Sequence, residues 1–350
     1  MRKVFNVILI TISIFIFFNI LIILILSIYD KNLKNKYSDE AKNIIQLKDN
    51  DLDILYKETW KNFDKFRYLP FVGFTETNRT GKFVNFDESN GRYINRPANC
   101  NINIFLYGGS TTFGYNVSDS ETIGQYLQNL LGKNYCIYNH GRAYYYSKQE
   151  NALLINHIEE KKKINIAIFI DGVNERCDSY AYDQALSFFF DFIKEKNHKA
   201  YLLANQIYID ALPIVRLSNS ILKRSNWVDR NAQMILINSC QKKIKLTDLF
   251  ETRIKNREGI CKINKINCYT FLQPFPGVSG IQSEKNLAIE YQKAMSIKYN
   301  ELKNVNGVID IKSSLNTNKN LSYIDGVHYS QLSNKLIAEE IYKNYIEMLK

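Results

Sequence analysis

Five short, largely apolar runs recur after residue 100, at Ile102–Tyr107, Tyr135–Tyr138, Ile164–Ile170, Asn267–Leu272 and Val308–Ile311. Runs of this length and composition suit strands buried on both faces. Between and after them lie stretches with helical periodicity, at 121–132, 148–161, 283–302 and 331–349. Strands separated by helices must be joined by crossovers, which run the strands parallel and cover both faces of the sheet. The expected fold class is therefore α/β, a three-layer α/β/α sandwich on a five-stranded parallel sheet. Some 95 residues separate the third and fourth runs, too many for a simple crossover. They include helix candidates at Gln184–Lys194 and Asn231–Ile244, so a helical insertion, a candidate lid, is expected over about 176–262.

The N-terminus carries the other constraint, because Val4 to Tyr29 is a run of 26 residues without a charged side chain. As a helix it would span about 39 Å, against a hydrocarbon core of roughly 30 Å that about 20 residues already cross. A cleaved secretory signal has an apolar stretch of roughly 7–15 residues and a small-residue cleavage site. Ser27-Ile28-Tyr29-Asp30 offers nothing of that kind, so residues 4–29 read as an uncleaved transmembrane signal anchor with the lipid bilayer as partner. Arg2 and Lys3 flank one end while Lys31, Lys34 and Lys36 flank the other, so flanking charge does not set the orientation. Residues 30–70 are charged, with apolar side chains at Ile44, Ile45, Leu47, Leu52, Ile54 and Leu55, and read as a helical stem that spaces the body from the membrane. Residues 71–99, where Gly73, Gly81 and Gly91 separate short aromatic runs, read as an irregular or β lead-in to a domain over 100–350.

The 350 residues carry 46 Lys and Arg against 35 Asp and Glu, a formal charge of +11, yet the basic residues are interleaved with acids. The densest run, Lys161-Lys162-Lys163, falls at the end of an expected helix, where the dipole favours cations, and no nucleic-acid partner is expected. With 45% hydrophobic and 23% charged residues, the composition excludes a disordered or collagen-like chain. The six cysteines, at 100, 136, 177, 240, 261 and 268, include no Cys-x-x-Cys and no neighbouring His at ligand spacing, so no metal site is expected. Cys100 and Cys136 open neighbouring strands and could meet at one sheet edge, and Cys261 and Cys268 could close a short loop. Cys240 competes for either pair, and six reduced thiols are the alternative.

The first strand leads into Tyr107-Gly108-Gly109-Ser110-Thr111-Thr112-Phe113-Gly114, which presents a serine at the carboxyl edge of the sheet, where open α/β folds place their sites. A phosphate loop is excluded by the lack of Gly-Lys-Ser/Thr and of Gly-x-Gly-x-x-Gly, and Thr112 breaks the Gly-x-Ser-x-Gly elbow. Four histidines exist, at 140, 157, 198 and 328. His157 and His198 sit among charged residues and read as solvated. His328 lies in Asp325-Gly326-Val327-His328, just before the last helix. Asp325 can accept from Nδ1–H and so leave Nε2 to take a proton from Ser110. The second and third strands end in Asn139-His140-Gly141-Arg142 and Asp171-Gly172-Val173-Asn174-Glu175, which open on the same edge. Together they offer three oxyanion donors: the Ser110 amide, the Gly141 amide and the Asn174 side chain.

These blocks resemble, in order, those of the SGNH or GDSL-type serine hydrolases. Gly108-Gly109-Ser110-Thr111 is similar to the nucleophile block, Gly141 falls where the second block supplies an oxyanion amide, Gly172-x-Asn174-Glu175 resembles Gly-x-Asn-Asp, and Asp325-Gly326-Val327-His328 resembles the terminal Asp-x-x-His. Gly109 departs from the Asp of the GDSL pattern, and Glu175 stands where Asp is common. The resemblance spans about residues 100 to 350. It implies a flavodoxin-like sheet and ester chemistry through an acyl-serine, with no cofactor. The block around Ser110 also resembles that of anchored envelope proteins of surface-polysaccharide acylation, which implies acyl esters of glycans as substrates and a body outside the cytoplasm. That placement agrees with the anchor and the even number of cysteines.

The resulting expectation is a membrane-anchored serine esterase with Ser110 as nucleophile, His328 as base and Asp325 as its orienting carboxylate. Ser110, Gly141 and Asn174 would form the oxyanion hole. His140, Tyr144, Tyr145 and Tyr146 are candidates for lining a substrate pocket, set against burial in the fold. An O-acyltransferase on the same fold and a catalytically silent glycan-binding module are the alternatives.

Overall fold

The computed structural model describes residues 2–31, 37–60, 66–175, 245–275, 289–315 and 323–348. Helix α1 (Arg2–Lys31) contains Phe5–Ile22, a stretch long and apolar enough to cross a membrane. Two further helices, α2 (Asp39–Ile45) and α3 (Asp49–Trp60), precede the small strands β1 (Phe66–Leu69), β2 (Gly73–Glu76), β3 (Phe86–Asp87) and β4 (Gly91–Arg92). Next come β5 (Ile102–Gly108), α4 (Ser110–Phe113), α5 (Ile123–Leu131), β6 (Tyr135–Asn139), α6 (Ser147–Glu159) and β7 (Ile166–Asp171). The chain closes with α7 (Leu246–Ile263), β8 (Asn267–Leu272), α8 (Ile289–Leu302), β9 (Val308–Asp310) and α9 (Gln331–Met348).

The five expected strands form a parallel sheet in the order β6-β5-β7-β8-β9. That is the flavodoxin-like order. The two-residue strands β3 and β4 extend it antiparallel beyond β6, while β1 and β2 form a separate hairpin. Period-two alternation divides the central strands chemically. Ile104, Leu106, Ile166, Ile168 and Ile170 pack with Ile123 and Leu127 of α5 and Ile337, Ala338 and Ile341 of α9. On the opposite face Phe105, Tyr107 and Phe169 stack in series, and His157 of α6 and Arg257 of α7 close over them. The sheet thus has an aliphatic side and an aromatic, polar-capped side, each covered by helices.

Several sequence-based expectations are revised. Residues 246–263 belong to the β7–β8 crossover as α7, whose Asn151–Arg253 and Arg257–Asp171 bonds tie it to α6 and β7, so they are no part of an insertion. Residues 176–244, with the two helix candidates, His198, Cys177 and Cys240, lie outside the described residues. Cys100 pairs with Cys136 and Cys261 with Cys268. The stem is not a free spacer: Ile44, Ile45, Leu52 and Leu55 are buried, and the Glu58 carboxylate accepts the amides of Lys82, Phe83 and Val84 at 2.7–3.0 Å.

His157 is not solvated either. It is buried, with Nδ1 2.9 Å from the Tyr107 hydroxyl and its ring centroid 4.2 Å from that of His140, which is itself fully buried. Burial, reinforced by Arg142 and Lys162 and, for His140, by His157, holds both imidazoles well below the usual histidine range. Both are therefore neutral in the folded protein, whereas the unfolded chain takes up their protons below pH about 6.5. The unfolded state then binds more protons, so this contribution to stability falls as pH drops, by about 1.4 kcal/mol per unit for each imidazole. Thermal unfolding of the detergent-solubilised chain between pH 7 and 5 checks this. His140→Phe keeps the stacking and is expected to lose less stability over that range than the wild type; equal losses would show that His140 does not titrate this way.

Candidate active site

β5 ends in Gly108 at φ 158°, and the chain turns directly into the single turn of α4. A Cβ on Gly108 would sit 2.1 Å from Thr112 Oγ1, so only glycine permits this turn. Gly114 closes α4 in the left-handed region at φ 90°. Ser110 therefore stands at the first position of α4, at the carboxyl edge of the sheet, where its own amide has no intrahelical acceptor. The turn is braced from below. Thr111 Oγ1 donates to Gln273 Oε1 at 2.6 Å, and Asn139 Nδ2 donates to the Thr112 carbonyl at 2.8 Å.

Ser110 Oγ lies 2.9 Å from His328 Nε2, and His328 Nδ1 lies 2.8 Å from Asp325 Oδ2. The loop that carries them is closed by an antiparallel bridge between Tyr323 and Tyr329. Asp325 Oδ1 accepts the amides of Val327 and His328, each at 2.8 Å, and Oδ2 also accepts Asn116 Nδ2 at 2.8 Å. Burial alone would raise the Asp325 pKa, but the adjacent imidazole, its hydrogen bond and the amides of His328 and Val327 outweigh it and bring it down to about 2. The carboxylate is thus ionised at any working pH, which assigns Nδ1–H to His328 and leaves Nε2 as the acceptor facing Ser110. Tyr115 stacks on the imidazole at 5.3 Å, and Trp60 meets it edge-on at 5.4 Å.

Asn174 follows Gly172, which takes φ 132° at the end of β7. One Asn174 Nδ2 hydrogen goes to the Tyr145 carbonyl at 2.8 Å, and the group lies against Gly109, where a Cβ would come within 2.5 Å of Nδ2. An Asp at position 109, as in the GDSL pattern, would displace the Asn174 amide from this place. Glu175 holds this loop to α6: it accepts the Ser147 amide and hydroxyl at 2.8 Å each and pairs with Arg253 at 3.2 Å.

The Gly141 expectation is corrected. Its amide donates to Asn139 Oδ1 at 3.0 Å, within its own loop, and so is not available as an oxyanion donor. Its need for glycine is steric, since a Cβ would lie 2.4 Å from the Phe113 amide nitrogen. His140 does not line the site either, being stacked on Phe105 at 4.9 Å beside His157. Tyr145 and Tyr146 are buried, the first donating to the Phe74 carbonyl and the second lying under the Arg253 guanidinium. Only Tyr144 of the three is open to solvent, at 44% exposure and with φ 61°. Asn116, Trp60, Tyr115 and Gln273, which support the site, carry no spacing signal in the sequence. Asn116 alone left a trace, as a residue suited to the left-handed region two positions after a glycine.

No family model and no curated protein matches the chain. Solved structures do resemble it. One is the psychrotrophic esterase EstA from Pseudoalteromonas sp., at 12% identity and TM-score 0.36, covering 71% of this chain and 98% of that one. Another is an acetyl xylan esterase from Geobacillus stearothermophilus, at 14% identity and TM-score 0.39, covering 70% and 94%. A third is the lipase/acylhydrolase from Enterococcus faecalis, at 14% and 0.38, covering 69% and 94%.

The steric role of Gly141 leads to a test. Gly141→Ala is expected to destabilise the fold by about 1–3 kcal/mol through overpacking against α4. A melting temperature equal to that of the wild type would show that the approach of Gly141 to α4 does not require glycine.

Proposed function

We propose that this chain is a serine esterase of the SGNH type that works through an acyl-serine. The observation that carries the reading is the continuous hydrogen-bonded series Ser110–His328–Asp325 at the carboxyl edge of a parallel sheet. Ser110 Oγ attacks the ester carbonyl carbon as His328 Nε2 takes its proton. The imidazolium is stabilised by Asp325 and then gives that proton to the departing alkoxide, leaving the acyl group on Ser110. Water attacks the acyl-serine, its proton passing to Nε2; the C–Oγ bond breaks, and Oγ recovers the proton from the imidazolium. The Ser110 amide and the second Asn174 Nδ2 hydrogen are the donors assigned to the oxyanion.

The finer assignment is a membrane-anchored enzyme that removes acetyl or other acyl groups from cell-envelope glycans. Support for the anchor comes from α1 and its apolar stretch Phe5–Ile22. The paired Cys100–Cys136 and Cys261–Cys268 support a body in an oxidising, extracytoplasmic compartment. The glycan ester rests on the resemblance of residues 108–114 to anchored envelope proteins.

Ester hydrolysis and labelling by a fluorophosphonate probe test the reading together. Ser110→Ala is expected to abolish both, and Asn174→Ala to lower kcat by about 10²–10³ while leaving the fold intact. Turnover retained in Ser110→Ala sinks the assignment. Products analysed with an acceptor sugar present distinguish hydrolysis from acyl transfer.

A further inference from the structure

The segment between α1 and the α/β body reaches the catalytic carboxylate. Asn116 is buried and takes φ 66°, in the left-handed region. Its Oδ1 accepts from Trp60 Nε1 at 2.5 Å and from the Tyr37 hydroxyl at 3.1 Å, and its Nδ2 donates to Asp325 Oδ2 at 2.8 Å. An indole N–H can only donate, so the Asn116 atom facing Trp60 must be the carbonyl oxygen. The amide orientation is thereby set by Trp60, and the NH₂ is turned toward Asp325. Burial, together with the nearby Asp325 charge, raises the Tyr37 hydroxyl pKa far above its usual range, so that group remains a proton donor. Trp60 also meets the His328 ring edge-on, and Tyr115 stacks on its face.

We propose that Asn116 is a positioning residue of this site, oriented by Trp60 and Tyr37, so that the segment 37–60 completes the catalytic machinery. The inference rests on the esterase reading. Without the Asn116 hydrogen bond, Asp325 Oδ2 keeps the His328 imidazole as its one remaining donor, and less of the carboxylate charge is neutralised. A less neutralised carboxylate holds the imidazolium more tightly, so the base gives up its proton only at higher pH. The fall in rate therefore comes with a moved pH profile, which a loss of folded protein alone does not produce.

The test uses the full chain in detergent with 4-nitrophenyl acetate as substrate, and melting curves as a control for folding. Asn116→Gly keeps the left-handed backbone available and removes the amide. It is expected to lower kcat about tenfold or more, with KM little changed. The acid limb of kcat/KM should move to higher pH by about half a unit. Trp60→Phe keeps the ring beside His328 but removes the N–H, and is expected to act in the same direction more weakly. The double variant should be no worse than Asn116→Gly, because Trp60 acts through Asn116. Additive losses, or a lowered kcat with an unmoved acid limb, overturn the proposal and leave the esterase reading standing. A wild-type chain inert toward both the ester and a fluorophosphonate overturns the esterase reading, and this inference with it.

Discussion

A carboxylate drawn partly out of water needs donors in place of it, and Asp325 is surrounded by four: the amides of Val327 and His328, the imidazole Nδ1 and the amide of Asn116. Each donor arrives from a definite place. Two come from its own loop and shape it into the turn that presents His328. One is His328 itself, which is thereby held with Nε2 toward Ser110. The fourth comes from the loop after α4, so the same carboxylate ties the loop before α9 to the segment that carries Ser110. Satisfying this charge and aligning Ser110, His328 and Asp325 are one structural problem with one solution.

The sheet supplies the frame on which those loops converge. Two glycines release the chain from β5 into α4 and another releases it from β7, so that Ser110 and Asn174 emerge at adjacent strand ends. Behind them the aromatic face of the sheet carries buried charge. Arg257 bonds Asp171 at 2.7 Å, Thr270 at 2.9 Å and Asn151 at 2.8 Å, and stands 3.6 Å over the Phe169 ring. Removing one member of such a cluster strands the others, so the strands that aim Asn174 are held by polar bonds as well as by apolar packing.

The parts legible in the sequence were those written in short-range chemistry. Five apolar runs gave the five parallel strands to within two residues at each end, because strands covered on both faces must be apolar throughout. Asp325 and His328 were legible since a three-residue separation lets a side chain fold back on its own loop, and Ser110 since paired glycines before a serine mark a tight turn at a strand end. Other features depend on long-range partners that no local pattern contains. His157 looked solvated among Glu159, Glu160 and the lysines, yet its helix turns that one position toward Tyr107. Gly141 looked like a donor, although the acceptor that occupies its amide is only two residues away, at Asn139. Nothing near Trp60 in the chain indicates Asn116, 56 residues later.

The same distinction bears on where the domain begins. Strand–helix alternation starts at Ile102 and makes everything before it resemble a tether. Charge and burial contradict that boundary. Glu58 accepts three consecutive backbone amides, Leu52 and Leu55 are buried, and the Ile44 carbonyl accepts Gln331 Nε2 at 2.9 Å from the first turn of the last helix. Removing α2 and α3 would expose apolar surface, leave amides of the 82–84 loop without acceptors and unpin Asn116, costs of the kind that destabilise a fold rather than trim it. A stem built only for reach has no reason to carry buried leucines at Leu52 and Leu55, nor an indole aimed at the residue that holds the Asp325 carboxylate. The cooperative unit therefore starts near Tyr37, six residues beyond the last residue of α1.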